Sequence, residues 1–577
     1  MASEHRSSVQ YLSDLSRELY VKYRGQYSTR RLQTLAKYHR ETSSLRATAI
    51  VALSTMPSLT VMALVDLIPL APPSAGLDHN QRFIARFFLN TWVFSCLGMH
   101  DFRHNVGVLP YSNRRLLVSS TIVSIVTTGV YYLLARLIGF PLPYGMILVT
   151  PISWLPLMLS AFALAWARQV RDHPHYWTHI VNMVKYWLGQ VVLCAAYPLY
   201  VLAILSIPSS CRVIMMFLLP VMKVLVRVGF SRALPHMRDE GPEVVTFIAD
   251  VFSSLFITYA LQSTALLAVL ALMALDVAYM GLSLRDIHQM HNNLRELSHA
   301  IDGKNRTSIG SMLKPRVSLN SVVPSPWSEY TNLTAPSFLK RADSLISIHT
   351  KRQDSSPVES VQVGGSATNR LRPSKSAPHI LDALPPNAVM SRCASYRLIS
   401  TIVRSLSRPT LTMTQMVTGS CEVDRTASVS ALPPSLSSAE RAYVVASQRF
   451  LHTMEYIMLL NYVEAAIPFV YGSYLLLAFC LPNRVYYTQL AGLRNVDELE
   501  RTIGNVALYW IVQMLTLVVV SCAYGRVLRV SGVKHLAFVL DRQWDSVQTK
   551  LIFWVFYNAQ ASLVHSGTDN NSTCDAW

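Results

Sequence analysis

Long apolar runs nearly free of charge constrain this chain more than any other feature, because about 20 such residues in a helix match the roughly 30 Å hydrocarbon core of a bilayer. They recur in two regions, and over all 577 residues 51% are hydrophobic and only 15% charged. A soluble multidomain protein is not built from that composition. A backbone that spans lipid must satisfy its own hydrogen bonds, which leaves helices or a closed barrel. The run lengths favour helices. The expected fold is therefore all-α, a polytopic helical membrane protein with a long disordered cytosolic insert.

Apolar segments at 47–71, 83–99, 116–138, 144–167, 178–205, 213–228 and 244–284 form an N-terminal membrane block, 47–284, of seven or eight spans. Alternate connections are basic. Those at 100–115, 168–177 and 229–243 carry Arg103, Arg114, Arg115, Arg168, Arg171, Arg232 and Arg238, whereas 72–82, 139–143 and 206–212 hold Arg82 and Arg212. The positive-inside rule then places the N-terminus in the cytosol. Seven crossings would put residues 285–440 outside, although this stretch has 18 Lys or Arg against 11 Asp or Glu and reads as cytosolic. Parity is repaired if 244–284, about 60 Å long as one helix, is two spans broken near Gln262-Ser263-Thr264. The short 213–228 run, interrupted by Lys223 and Arg227, offers another repair as a re-entrant or interfacial segment. The break is the preferred one.

Residues 1–46 hold nine Lys or Arg and lack the apolar core of a signal peptide, so they are expected to be a basic cytosolic arm. Leu12, Leu15 and Leu19, with Arg17, Lys22 and Arg24 between them, suit an amphipathic helix on the anionic leaflet; a partly disordered arm that only enforces topology fits equally. Residues 285–453 are the insert. Its stretch 301–440 contains 26 Ser with repeated Pro and too few apolar residues for a core. The eight cysteines are scattered without a Cys-x-x-Cys pair, which argues against a zinc module or disulfide framework. The net charge of +18 lies beside the spans. The lipid bilayer and its anionic cytosolic leaflet, and not nucleic acid, are the expected partners.

The C-terminal region reads as a two-span hairpin, 454–525, with spans at 455–481 and 506–525 and basic flanks on both sides. Residues 526–577 follow as an interfacial segment and tail. In it, 535–565 mixes apolar residues with Asp541, Arg542, Asp545 and Lys550, as one interfacial helix would; if it crosses instead, the glycosylation triplets at Asn570 and Asn571 become luminal. The stretch Glu455-Tyr456-Ile457, Leu460-Asn461-Tyr462-Val463-Glu464, Ile467-Pro468 and Leu481-Pro482-Asn483-Arg484-Val485-Tyr486-Tyr487 resembles uncharacterised multi-pass membrane proteins of oomycetes such as Phytophthora. The resemblance covers about 35 residues and implies membrane residence, with no activity to transfer.

Ionisable groups inside a span cost roughly 2.5–3.5 kcal/mol on insertion scales, so each needs a partner, water or a function. Glu464 is the most informative, because it lies well inside 455–481 beside Asn461 and one turn before Pro468, whose missing N–H frees a backbone carbonyl. That set is a candidate cation or proton site; the plainer reading is a carboxyl group that only fastens helices. Asp276, Asp66 and Asp250 are weaker candidates near span ends; Lys185, Lys223 and Arg136 are similarly placed, where long basic side chains snorkel to the interface, and are candidate partners for Glu464 or Asp276.

His100 and His104, four apart, resemble the first histidine box of membrane desaturases and hydroxylases, and His173, His175, His179, His288 and His291 follow near cytosolic span ends. The later clusters lack the adjacent His pair of those enzymes. No phosphate loop, Gly-x-Ser-x-Gly or His-Glu-x-x-His occurs, and no cofactor is expected. In the insert, Arg stands three residues before Ser344, Ser355, Ser395, Ser407 and Ser428, as basophilic kinases prefer, and Ser376 lies in a stretch resembling a 14-3-3 docking sequence. Kinases and phosphoserine-binding proteins are the corresponding partners. Each phosphate would bring about −1.5 to −2 charges and weaken attraction to anionic lipid.

Three functions remain open on these residues. The leading one is a transporter or channel-like protein working through Glu464; the second is a scaffold or sensor regulated through its insert; the third is a histidine-box metal enzyme.

Overall fold

The computed structural model of the chain describes residues 25–107, 109–206, 218–233, 241–260, 266–312, 338–354, 436–487, 490, 493 and 495–566. Two compact units divide it, residues 1–343 with 437–577, and residues 344–436. The described part of the second unit is essentially Ser344–Asp354, the end of one helix.

The apolar runs fold as helices, with Ser28, Ser43, Ser112, Ser437 and Ser531 capping first turns through their hydroxyls. In order these are α1 (Thr29–Glu41), α2 (Ser44–Leu53), α3 (Met56–Asp66), α4 (Gln81–Val106), α5 (Asn113–Ile138), α6 (Gly145–Val149), α7 (Leu155–Asp172), α8 (Tyr176–Ser206), α9 (Leu218–Ala233), α10 (Gly241–Ala260), α11 (Leu266–Met312), α12 (Phe338–Asp354), α13 (Ser438–Phe479), α14 (Val496–Leu528), α15 (Gly532–Arg542) and α16 (Trp544–Ala561). Among the described residues there is no strand, and a single bridge joins Tyr487 to Leu563.

Five segments, Ser44–Asp66, Asn113–Ile138, Gly145–Asp172, Ser438–Phe479 and Val496–Arg526, are long and apolar enough to cross a membrane. Their outward faces fit that role. On α5, Leu117, Ile122, Ile125, Leu133 and Leu137 are 49–74% exposed, and on α14 Leu508, Ile511, Leu515 and Val518 repeat at helical spacing on the surface. Apolar stripes of this size are costly in water and suit lipid chains.

The inner layer consists of α10, α13 and α16. Helix α13 packs on α10, α11 and α14, and α16 packs on α10, α4 and α3. Helix α13 also serves as a ruler. Glu455, Glu464 and Tyr474 stand along it, the second about 13.5 Å and the third about 28.5 Å from the first. Glu455 meets Arg31 in the first turn of α1, and Tyr474 meets Asp66 at the end of α3. The first place is called the docking end below and the second the far end.

Several expectations are corrected. The 213–228 run is helix, α9, from Leu218 onward, and α9 turns Lys223 and Arg227 inward onto carboxylates; residues 213–217 lie outside the described residues. The 244–284 run forms two helices, α10 and α11, and the expected break at Gln262-Ser263-Thr264 falls outside the described residues. Helix structure reaches into the insert, since α11 continues to Met312 and α13 begins at Ser438. The physical reason is a heptad stripe, Ile287, Leu294 and Ile301, buried along α11 within a polar stretch. Residues 535–565 are not one interfacial helix. They break at Gln543 into α15 and α16, and α16 buries Val547, Leu551, Val555 and Phe556 at the centre. At the other end of the chain α1 packs on α15, so the arm is docked from Tyr27 onward; Leu12–Arg24 lie outside the described residues.

Candidate functional site: a buried charge cluster

Midway along α13, five helices bring ionisable side chains together. The carboxylate of Glu464 pairs with Lys223 of α9, and Arg227, one turn on, lies 3.8 Å from it. Arg227 donates through Nε to Asp250 of α10 at 2.7 Å, and Lys223 reaches the same carboxylate at 3.7 Å. From α11, Asp276 accepts hydrogen bonds from Gln513 Nε2 at 2.6 Å and Tyr509 at 3.2 Å, both on α14, and lies close enough to Glu464 and Lys223 to feel both charges.

Burial makes these charges interact strongly. The side chains of Glu464 and Lys223 are 12% and 10% exposed and that of Asp250 is fully enclosed. Each would cost several kcal/mol alone in such surroundings. The described groups comprise two cations, Lys223 and Arg227, and three carboxylates, Asp250, Asp276 and Glu464. A low-dielectric site does not tolerate the surplus negative charge. Neutrality requires one more positive charge, either a proton shared among the carboxylates or a small cation. Pro468 adds to the site by lacking the N–H that would otherwise bond to the carbonyl of Glu464, four residues earlier.

Asn461, expected beside Glu464, turns instead to its own helix and donates to the carbonyl of Ile457 at 2.8 Å. The weaker candidates find other partners. Asp66 pairs with Arg86 of α4, Arg136 with exposed Asp78, and Lys185 is exposed.

The histidines do not converge. His100 and His104 stack on α4 with ring centroids 6.3 Å apart, and His173 and His175 lie 5.8 Å apart on the surface with His179 exposed nearby in sequence. His288 and His291 sit on α11, where burial, Arg295 and His288 push the His291 imidazole below its ordinary value. Among the described residues no three His, Cys, Asp or Glu side chains gather as metal ligands would. Of the phosphorylation candidates Ser344 lies on α12, while Ser355, Ser376, Ser395, Ser407 and Ser428 lie outside the described residues.

Three further buried clusters were not anticipated. At the docking end Arg31 holds Glu455 through two bonds of 2.9 and 2.8 Å, and Tyr27 also donates to Glu455. His535 stands beside them, 2.8 Å from Tyr27 and 2.9 Å from Tyr524; burial first, then His39 and Arg31, push its imidazole far below the usual range, so it is neutral. Also toward that end, Lys550 of α16 lies 3.3 Å from Glu243 and 3.4 Å from Asp101. At the far end Arg86 meets Asp66, Tyr487 and Gln560, and Asn483 ties the chain after α3 by donating to the carbonyls of Asp66 and Ile68. The available signal was charge complementarity. Asp66 and Arg86, or Asp101 and Lys550, are opposite charges at matching depths of different runs.

Compared with protein-family models, with curated proteins and with solved structures, the chain matches none.

Proposed function

We propose that this chain is a multi-pass membrane protein that moves protons or a small monovalent cation through the Glu464 cluster. The observation that carries the reading is the odd charge count, three carboxylates against two cations, in a nearly sealed place halfway along the inner helix. The Arg31–Glu455 and Arg86–Asp66 fastenings are balanced one to one, whereas the buried Lys550–Glu243–Asp101 group shares the surplus of one carboxylate. Lys223 and Arg227 each face both Asp250 and Glu464, so a proton or cation arriving at one carboxylate frees an ammonium or guanidinium to shift to the other. Alternation of partners of this kind is how a buried site takes up and releases charge.

Topology follows from the helix order. Counting α2 with α3 and α6 with α7 as single passes, and adding α4, α5, α8, α9, α10, α11, α13, α14 and α16, the chain makes eleven. Eight, an even number, precede residue 313, and an odd total would carry the chain after α16 to the far end. The basic connections set the docking end in the cytosol.

A second reading keeps its place on one observation. Glu464 is 12% exposed and ion-paired, the sealed packing of a scaffold that displays its insert for phosphorylation. Proton and sodium flux in proteoliposomes separates the two. Transport predicts flux in the wild type and its loss in Glu464→Gln with folding intact; no flux of any tested ion from correctly inserted wild-type protein would transfer the weight to the scaffold.

A further inference from the structure

The inner helix α10 carries more polar atoms than its packing uses. Residues 241–255 are buried throughout, yet Glu243, Thr246, Asp250 and Ser254 follow one another at intervals of three, four and four, which keeps them within about 80° of one face. Glu243 belongs to the Lys550–Asp101 cluster and Asp250 to the Glu464 cluster, about 10.5 Å apart along the axis. Between and beyond them Thr246 Oγ1, Asp250 Oδ2 and Ser254 Oγ have no hydrogen-bond partner although Thr246 and Asp250 are 0% and Ser254 1% exposed. Three orphaned polar atoms on one stripe of a buried helix are rare, because each costs the full desolvation of its group; native proteins satisfy such atoms with internal water.

The stripe is bounded at both ends. At the lower cluster the hydroxyl of Tyr186, 1% exposed, lies beside Asp101 and Glu243 without a hydrogen bond of normal geometry. One residue past Ser254, Leu255 borders a small cavity whose walls are almost wholly apolar, with Met62, Val470 and Val555 among them, so the hydrated part of the stripe ends before it. Tyr474, on the same cavity, donates to Asp66 at the far end.

We propose that α10 lines a hydrated proton path that connects the Lys550–Asp101–Glu243 cluster to the Asp250–Glu464–Asp276 cluster. Its ligand is water and its cargo the proton. A proton on a carboxylate oxygen of the lower cluster passes to a water held by the Thr246 hydroxyl, and that water gives one up to the free oxygen of Asp250. No bond other than O–H forms or breaks, and charge is conserved at each transfer. The proposal deepens the transport reading and rests on it for the direction of use, while the presence of water along the stripe stands apart from it.

Thr246→Val tests both parts, since it keeps the shape and removes the hydroxyl. In proteoliposomes the variant is expected to lose proton flux by roughly tenfold or more, with sodium-driven leak unchanged and with the protein folded. In parallel its thermal midpoint in nanodiscs is expected to fall, because a hydrated hydroxyl loses its water bonds; a dry orphan replaced by a methyl group raises the midpoint instead. Wild-type flux that Thr246→Val leaves untouched overturns the path; Ser254→Ala, one turn beyond Asp250, reports through its midpoint on the hydration of the stripe. If the wild type carries no flux, the transport reading fails by itself, and the midpoints still decide: a rise in both variants shows a dry stripe and overturns the inference, a fall supports a hydrated stripe without transport.

Discussion

Glu455 and Glu464 sit nine residues apart on one helix and meet opposite fates. Glu455 is bound by a single guanidinium through two bonds and by a tyrosine hydroxyl, a closed account of one charge against one. Glu464 shares two cations with a second carboxylate and neighbours a third. The first arrangement has one best geometry and acts as a clasp for the N-terminal helix. The second puts two cations within reach of two carboxylates. Burial alone therefore does not tell the two carboxylates apart; the ratio of partners to charges does.

The comparison breaks most easily at the clasp. Glu455→Ala leaves Arg31 enclosed without its counterion and is expected to cost about 3–5 kcal/mol, read as a large fall in thermal midpoint together with fast amide exchange over Thr29–Glu41. In the charge-rich cluster the sign of the removed group matters. Lys223→Met deepens the negative surplus and is expected to cost about 3 kcal/mol, whereas Glu464→Gln relieves it and costs about 1 kcal/mol or less; equal losses in the two thermal unfolding curves would refute the uneven count.

A smaller effect concerns pH. Burial, then the charge of Lys534, pushes the His39 imidazole down to about 4. Lys534 and His535 of α15 are the titratable groups facing it. The unfolded chain takes up a proton near its ordinary value of about 6.5, so the stability that docking gains from a neutral His39 is complete above that pH and is lost as pH falls toward 4. Amide exchange across α1 is expected to quicken over this window, and His39→Gln to flatten the profile. The smallest perturbation is a tag. One fused before Met1 and one after Trp577 are expected to be digested from opposite sides of sealed vesicles, since His565 bonds to the carbonyl of Ala71 at the far end; digestion of both from one side removes the eleventh pass.

Much of the fold was readable in the runs themselves. Every apolar segment holds helix over most of its described residues, and parity asked for two helices across 244–284, which α10 and α11 supply. What escaped has a common cause. Arg227 and Lys550 were read as marks of an interface because a lone charge is expensive in lipid, but each is matched by carboxylates on helices far away in sequence, Lys550 by Glu243, 307 residues earlier; Lys223, by contrast, was a candidate partner of Glu464 on depth alone and pairs with it. Periodicity sees one helix at a time and cannot see a partner. Glu464 was identified for its depth, and its neighbour Asn461 was misassigned for the same reason, since nearness in sequence says nothing of which way an amide turns. The stretch from Glu455 to Tyr487 holds many of these fastenings. Glu455, Tyr462, Asn483 and Tyr487 bind Arg31, Ser54, the chain after Asp66, and Arg86.

The position of α16 bears on how the molecule is made. It is the innermost helix at both ends, holding Glu243 and Asp101 through Lys550 and Arg86 through Gln560, and it leaves the ribosome after every other described helix. The three earlier groups therefore share one dependence: a chain cut short before residue 544 leaves Asp101 and Glu243 without Lys550 and Arg86 without Gln560, so unmatched charge stays on α4 and α10.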